Sequence, residues 1–226
     1  YGLGATDPKG IFGTTLGLES KFGNERVFDM PTSENAMTGI GIGASIAGFK
    51  PVMTHQRLDF FLLAMDQLVN SAAKMHYMFD GQLNVPITIR LIIGRGWGQG
   101  PTHSQNLQSW FAHIPGLKVV MPSSADDAKG LLLSSIFDPN PVIFLEHRWL
   151  HNSISEVPEG DFRIPLGTSK KLKDGKDFTI VSMSYLTIEA VRAADYLKLK
   201  GLDVEVIDLC SIKPIDWKII FNSICK

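Results

Sequence analysis

Apolar runs rich in β-branched residues alternate along this chain with segments whose apolar positions recur every three to four residues. Strands are predicted at 26–30, 51–53, 86–93, 117–121 and 141–146, and helices near 11–22, 35–49, 60–78, 105–113 and 125–137. Strands alternating with helices predict a sheet buried on both faces. The expected fold class is therefore α/β, a doubly wound, mainly parallel sheet spanning residues 1–150. Polar and turn-forming residues dominate 151–177, including Glu156-Val157-Pro158-Glu159-Gly160-Asp161 and a lysine-rich stretch at 170–176, which reads as a linker with room for a hairpin. A strand at 178–183, a helix at 188–199 stopped by Gly201, a strand at 204–209 and a helix at 215–224 follow. Two strands make too little sheet for an independent domain, so 178–226 is expected to be the first part of a second α/β domain.

One polar position interrupts this pattern. The segment Ala36-Met37-Thr38-Gly39-Ile40-Gly41-Ile42-Gly43-Ala44-Ser45-Ile46-Ala47-Gly48 offers little polar surface, so it must pack on nearly every side. Glu34 stands at its start, behind the 26–30 strand and Pro31. A carboxylate there faces burial, which is costly unless the group is protonated or partnered. Two readings are open. Glu34 is a first-turn residue gaining about 0.3–1 kcal/mol from the helix dipole, with Ser33 or Thr32 as N-cap, or it is a working acid. For a glutamate taken alone at a helix start, the first is commoner.

Hydrophobic residues make up 44% of the 226 and charged ones 20%, as in ordinary globular proteins. A net charge of −1 without a basic tract argues against nucleic acid or an anionic membrane as principal partner. Cys210 and Cys225 are the only cysteines and make no disulfide framework, so a reducing compartment is expected: cytoplasm, or mitochondrial matrix or plastid in a eukaryote. Neither a spanning apolar run nor a signal peptide is visible, and the start at Tyr1 without an initiator Met suggests a fragment.

Several motifs follow one another in order: Phe12-Gly13-Thr14-Thr15-Leu16-Gly17-Leu18, Arg26-Val27-Phe28-Asp29-Met30-Pro31-Thr32-Ser33-Glu34-Asn35, Asp66-Gln67-Leu68-Val69-Asn70-Ser71-Ala72-Ala73-Lys74 and Thr102-His103-Ser104-Gln105-Asn106. Trp110-Phe111-Ala112-His113-Ile114-Pro115-Gly116-Leu117-Lys118-Val119-Val120 and Asp138-Pro139-Asn140-Pro141-Val142-Ile143-Phe144-Leu145-Glu146 complete the set. Over essentially its whole length the chain resembles the β subunit of the thiamine-diphosphate-dependent decarboxylating component of 2-oxo acid dehydrogenase complexes, the pyruvate and branched-chain enzymes. The resemblance implies a transketolase-like pyrimidine-binding domain followed by part of a transketolase C-terminal domain. It also implies decarboxylation of a 2-oxo acid and reductive acylation of a lipoyl group.

On that resemblance Glu34 would bond the ring nitrogen of the cofactor's aminopyrimidine and favour its imino tautomer, which outweighs the cap reading. His103 would face the reacting centre, where an imidazole titrating near neutrality suits proton transfer. Phe60 matches an aromatic lying against the aminopyrimidine ring, with an ordinary core phenylalanine as the bland reading. His113 looks structural. Asp138 and Asn140, with the carbonyls of Ile87 and Ser135, fall where some relatives bind potassium; Asp-Pro-Asn-Pro is also a good turn by itself.

The Gly94-Arg95-Gly96-Trp97-Gly98-Gln99-Gly100 stretch lacks the lysine of a phosphate loop and reads as a mobile loop beside the site. The sequence also lacks the Gly-Asp-Gly followed by Asn that holds magnesium and diphosphate in this superfamily. The resemblance thus implies an α subunit carrying that half, in a heterotetramer of two α and two β chains with a β–β dimer, served by the lipoyl domain of an acyltransferase. Thr54-His55-Gln56-Arg57-Leu58-Asp59 and the 91–100 loop depart from the usual pattern, and both border the substrate approach. A different split thiamine-diphosphate enzyme, transketolase-like or acetoin-cleaving, and a non-catalytic assembly subunit therefore stay open.

Overall fold

Two sheets organise the chain, and the computed structural model describes residues 1–10, 12–96 and 98–225 of it. Ile11, the predicted start of the first helix, Trp97 of the Gly-rich loop and the terminal Lys226 lie outside the described residues. In chain order the elements are α1 (Leu18–Phe22), α2 (Glu34–Ile46), β1 (Val52–His55), α3 (Leu58–Phe61), α4 (Met75–Met78), β2 (Thr88–Ile93), α5 (Gln108–His113), β3 (Lys118–Val120), α6 (Ala125–Phe137) and β4 (Val142–His147). After them come β5 (Lys170–Lys173), β6 (Phe178–Ser182), α7 (Tyr185–Lys198), β7 (Val204–Asp208), β8 (Ser211–Lys213) and α8 (Trp217–Ile224).

The first sheet has the order β1-β2-β4-β3-β8, parallel except for the last pair. Its interior strand β2 is buried at all six positions, as expected of a strand covered on both faces. Ile87, Ile89, Leu91 and Ile143 form the core with Phe61, Leu68 and Phe111 from the covering segments. Gly41 lets α2 approach closely, because a Cβ there would collide with the Tyr1 hydroxyl and the Ile87 side chain. Tyr1 donates its hydroxyl to the Met37 carbonyl at 3.0 Å, fixing that approach.

Three predicted elements differ from what is observed. The 11–22 helix is reduced to α1, because Gly13 and Gly17 adopt φ +73° and +81° and interrupt it. The 26–30 strand is only a bridge: Gly2 pairs with Asp29 and with Thr54, so the N-terminal residues sit between this segment and β1. The 60–78 helix is split into α3, a 3-10 turn at Leu62–Ala64, a π turn at Gln67–Ala72 and α4. Leu58, Phe61, Ala64, Leu68 and Ala72 nonetheless point into the core, since a spacing of three to four serves all these helix types.

The second sheet has the order β5-β7-β6, with β5 antiparallel to β7 and β6 parallel to it. The chain then returns to the first sheet through β8, which places Val119 opposite Lys213 and Val120 opposite Ser211. Lys213 donates its ammonium to the carbonyls of Ala112 (2.7 Å) and Ile114 (2.9 Å), where a cation complements the end of α5. Asp127 at the start of α6 and Asp208 at the end of β7, both fully buried, share the Ser123 hydroxyl. Lys170 of β5 pairs with Asp126 at 2.8 Å and also with Asp127. Burial and the Asp127 charge hold the Asp208 carboxyl above its usual range. Cys210 adjoins this cluster, but Lys170 already supplies its positive charge, so the arrangement works as a clasp between the two sheets. Among the described residues no helix is long and apolar enough to cross a membrane.

Candidate functional site

Glu34 is the first residue of α2, and its side chain is 6% exposed. Ser33 occupies the N-cap position without a side-chain cap bond, so ordinary capping does not account for the polar residues here. The Glu34 carbonyl accepts from the Thr38 hydroxyl at 2.8 Å, but no hydrogen bond or ion pair reaches the Glu34 carboxyl from the described residues. The carboxyl oxygens are not among the fully enclosed unpartnered atoms, so the group stays within reach of a ligand from outside the chain. Such a group suits an external ligand offering a ring nitrogen.

His103 ends a 3-10 turn, Pro101–His103, in the loop after β2. Its Nδ1 lies 3.0 Å from the Thr102 hydroxyl, and its ring meets Phe60 edge-on, with centroids 5.1 Å apart at 90°. Phe60, on α3, is 40% exposed and so keeps a face free for a flat ligand. The structure thus brings Phe60 and His103 together, and α2 packs against the same α3 segment.

Two residues that sequence reasoning set aside as departures hold this loop. Arg57, 8% exposed, donates to the Gln99 side chain and to the His103 carbonyl at 3.4 Å. Burial lowers its pKa; Asp59 opposes the shift, while the nearby Arg148 adds to it. Asp59 accepts from the Gln105 backbone (3.2 Å) and side chain (2.9 Å). The signal was available in 57–60, where two charges flank an apolar core residue and immediately precede Phe60.

His55 was also missed. At the end of β1 it is 1% exposed, stands edge-on to Phe61 at 5.1 Å, and neither ring nitrogen has a hydrogen-bond partner among the described residues. Burial lowers its pKa to about 4, so it is neutral at pH 7.

The expected potassium ligands form a closed turn. Asp138 accepts from the Asn140 amide at 2.9 Å and holds the Lys118 ammonium on its other oxygen. The Ile87 carbonyl accepts from Val142 at 3.0 Å, and that of Ser135 from Asp138 at 3.3 Å. His113 ends α5, where the structure records no part in the His103 loop.

A groove of about 760 Å³ runs beside α2, with Val27, Phe28, Ile40, Ala44 and Phe49 on its walls and Arg90 among them. Arg90 is engaged across the sheet by Glu146, at 2.6 and 2.9 Å. Burial alone would raise the Glu146 pKa, but Arg90 and His151 reverse this and bring it to about 2. Ile40, Ile46 and Phe49 stay exposed along this side, leaving an apolar surface uncovered by the chain itself.

Residues 2–152 match the family described as transketolase, pyrimidine binding domain, and residues 167–226 match transketolase, C-terminal domain. The chain is 44% identical over 222 residues to pyruvate dehydrogenase E1 component subunit beta-1, mitochondrial, of Arabidopsis thaliana, covering 96% of this chain and 61% of that protein. It is 41% identical over 227 residues to the beta subunit of acetoin:2,6-dichlorophenolindophenol oxidoreductase of Cupriavidus necator, covering 99% and 67%. The chain therefore spans about three fifths to two thirds of the length of these relatives. Among solved structures, a split gene transketolase, described as an inactive beta4 tetramer, superposes with a TM-score of 0.79 at 26% identity, covering 98% of this chain and 68% of that one.

Proposed function

The chain belongs to the transketolase family through its pyrimidine-binding and C-terminal domains, and from that premise we propose that it is the β chain of a two-chain thiamine-diphosphate enzyme. Its proposed reaction is decarboxylation of a 2-oxo acid followed by acyl transfer to the lipoyl domain of an acyltransferase, in a heterotetramer with an α chain. The observation that carries the reading is Glu34, buried at the start of α2 with a carboxyl that no described residue engages.

The residues present suit the cofactor's pyrimidine half. Glu34 would hold the ring nitrogen by sharing its carboxyl proton, and Phe60 would lie against the ring. Bound thiamine diphosphate supplies the electron sink for decarboxylation. Glu34 would then hold a proton at that one nitrogen. His103, held by Arg57 through its carbonyl and by Phe60 along its ring, would move a proton at the reacting centre. The α chain would carry magnesium and the diphosphate half, covering the exposed Ile40, Ile46 and Phe49 or leaving that side to a β–β dimer.

Acetoin cleavage is the second reading, favoured by the Cupriavidus necator relative and by the unusual Arg57 and Asp59 beside His103. The potassium expectation at Ile87, Ser135, Asp138 and Asn140 competes with Lys118 for one carboxylate; a higher Tm in potassium than in sodium would support the ion. The two free cysteines, one of them buried, support a reducing compartment as part of the proposal.

The assembled pair should be assayed with 2-oxo acids and a lipoyl domain, and separately with acetoin. Glu34→Gln should lower turnover by roughly 10²–10⁴-fold with assembly intact. Full activity in that variant would sink the catalytic reading, and acetoin turnover without lipoyl acylation would select the second one.

A further inference from the structure

A second cavity, of about 490 Å³, opens where the chain leaves β2, β3, β4 and β6, at Ile93, Met121, His147 and Met183. Ligands of open α/β sheets collect at such strand ends. None of Glu34, Phe60 and His103 lines it, but Ser104 and Asn106 of the His103 loop do, so it adjoins the proposed site without sharing its named residues.

One wall is the start of α7, a helix of 14 residues; the Thr187 amide donates to the Ser184 carbonyl at 3.0 Å, which leaves the Tyr185 and Leu186 amides without an acceptor within the helix. Ser184, its N-cap residue, lies on that wall at 2% exposure, and its hydroxyl has no hydrogen-bond partner among the described residues. Gln108, on the wall as well, buries an Oε1 that equally lacks a partner. Two buried polar atoms without a described partner, both on residues that line one cavity, leave room for a polar ligand beside them.

The opposite side is aromatic and basic. Tyr185 stacks on His147 (5.1 Å, 18°) and meets Trp149 edge-on (4.9 Å, 83°). Arg95 lies over Trp149, 5.7 Å from the ring. Gly94 and Gly96 let the backbone lie flush on this group: a Cβ at Gly94 would stand 2.7 Å from the His147 ring, and one at Gly96 2.8 Å from the Trp149 ring. The flanking glycines therefore set Arg95 against the cavity. Glu189, the carboxylate on the wall, is already engaged by the Tyr185 hydroxyl at 2.6 Å and by Arg192 at 2.9 Å. Arg95 and the helix start are left to set the field.

We propose that this cavity binds a small molecule carrying an oxyanion and a planar ring. The oxyanion, carboxylate or phosphate, sits between Arg95, the Ser184 hydroxyl and the α7 amides, and the ring lies against Trp149 and Tyr185. The test is calorimetric titration of the full-length chain, assembled with its partner, with phenyl phosphate, benzoate and inorganic phosphate. Saturable binding of phenyl phosphate or benzoate is expected, whichever is tighter naming the oxyanion, with inorganic phosphate about tenfold weaker or more. Ser184→Gly suits the φ of +54° at this position and removes the hydroxymethyl side chain, while Arg95→Gln removes the charge. Each should weaken binding at least about fivefold at unchanged Tm. Absence of saturable binding by both ring probes to about 10 mM, or equal affinity in both variants, would overturn the proposal.

Discussion

Lowering the pH should destabilise the fold through His55, by an amount that its burial sets. The ring is 1% exposed, both nitrogens lack partners among the described residues, and its folded pKa is about 4 against 6.5 for a free histidine. As pH falls through 6.5 the unfolded chain takes up the proton first, so folding loses stability until about pH 4, where the folded form titrates too. At pH 5 the unfolded imidazole is about 97% protonated and the folded one about 9%, which converts to about 2 kcal/mol relative to pH 7.5. His55→Phe keeps a flat ring against Phe61 and removes the titration without breaking a hydrogen bond. Urea unfolding followed by tryptophan fluorescence, at pH 7.5 and 5, gives the free energies for both forms. The variant should lose about 2 kcal/mol less than the parent between the two pH values. Equal losses, within about 0.5 kcal/mol, would refute the assignment of acid lability to this ring.

Arg57→Ala should release Gln99 and the His103 carbonyl, so that protease cuts the 94–105 loop faster and turnover falls about 10–100-fold; unchanged cleavage would show that Arg57 does not hold the loop. Gly116 has φ +94° and a Cβ there would strike the Ala73 carbonyl, so Gly116→Ala should cost more than about 3 kcal/mol in urea unfolding. Lys170→Met strips the cation from Asp127, which is 1% exposed, and should cost about 3 kcal/mol; a neutral effect would mean that the clasp contributes little. Arg90→Met leaves Glu146 buried and singly partnered, so it should destabilise by about 3–5 kcal/mol, measured the same way.

The alternation of apolar strands with amphipathic segments was enough to determine the α/β class, four of the five strands of the first sheet and two of the three strands of the second, because burial on two faces leaves continuous apolar runs. Helix α6 was legible to the residue, since Ser124 caps it and an acidic first turn marks its start. Glu34, too, was legible as an anomaly, a carboxylate at the head of an apolar helix. Its lack of a partner is a statement about empty surroundings, which no local pattern carries.

Only tertiary structure decided the rest. The return of β8 to the first sheet depends on a three-residue strand beside Pro214, too short for any periodicity. Positive φ at Gly13 and Gly17 overrode helix patterning near the N-terminus. Arg57 and Asp59 stood out in the sequence only as a departure from the family pattern, yet they fasten the His103 loop across separations of more than forty residues. Ser184 and Arg95 lie 89 positions apart in the sequence and face one cavity only because β2 and β6 end on the same side. Periodicity records which face of an element is buried; which polar groups meet, and which are left without partners, follows from how the elements pack.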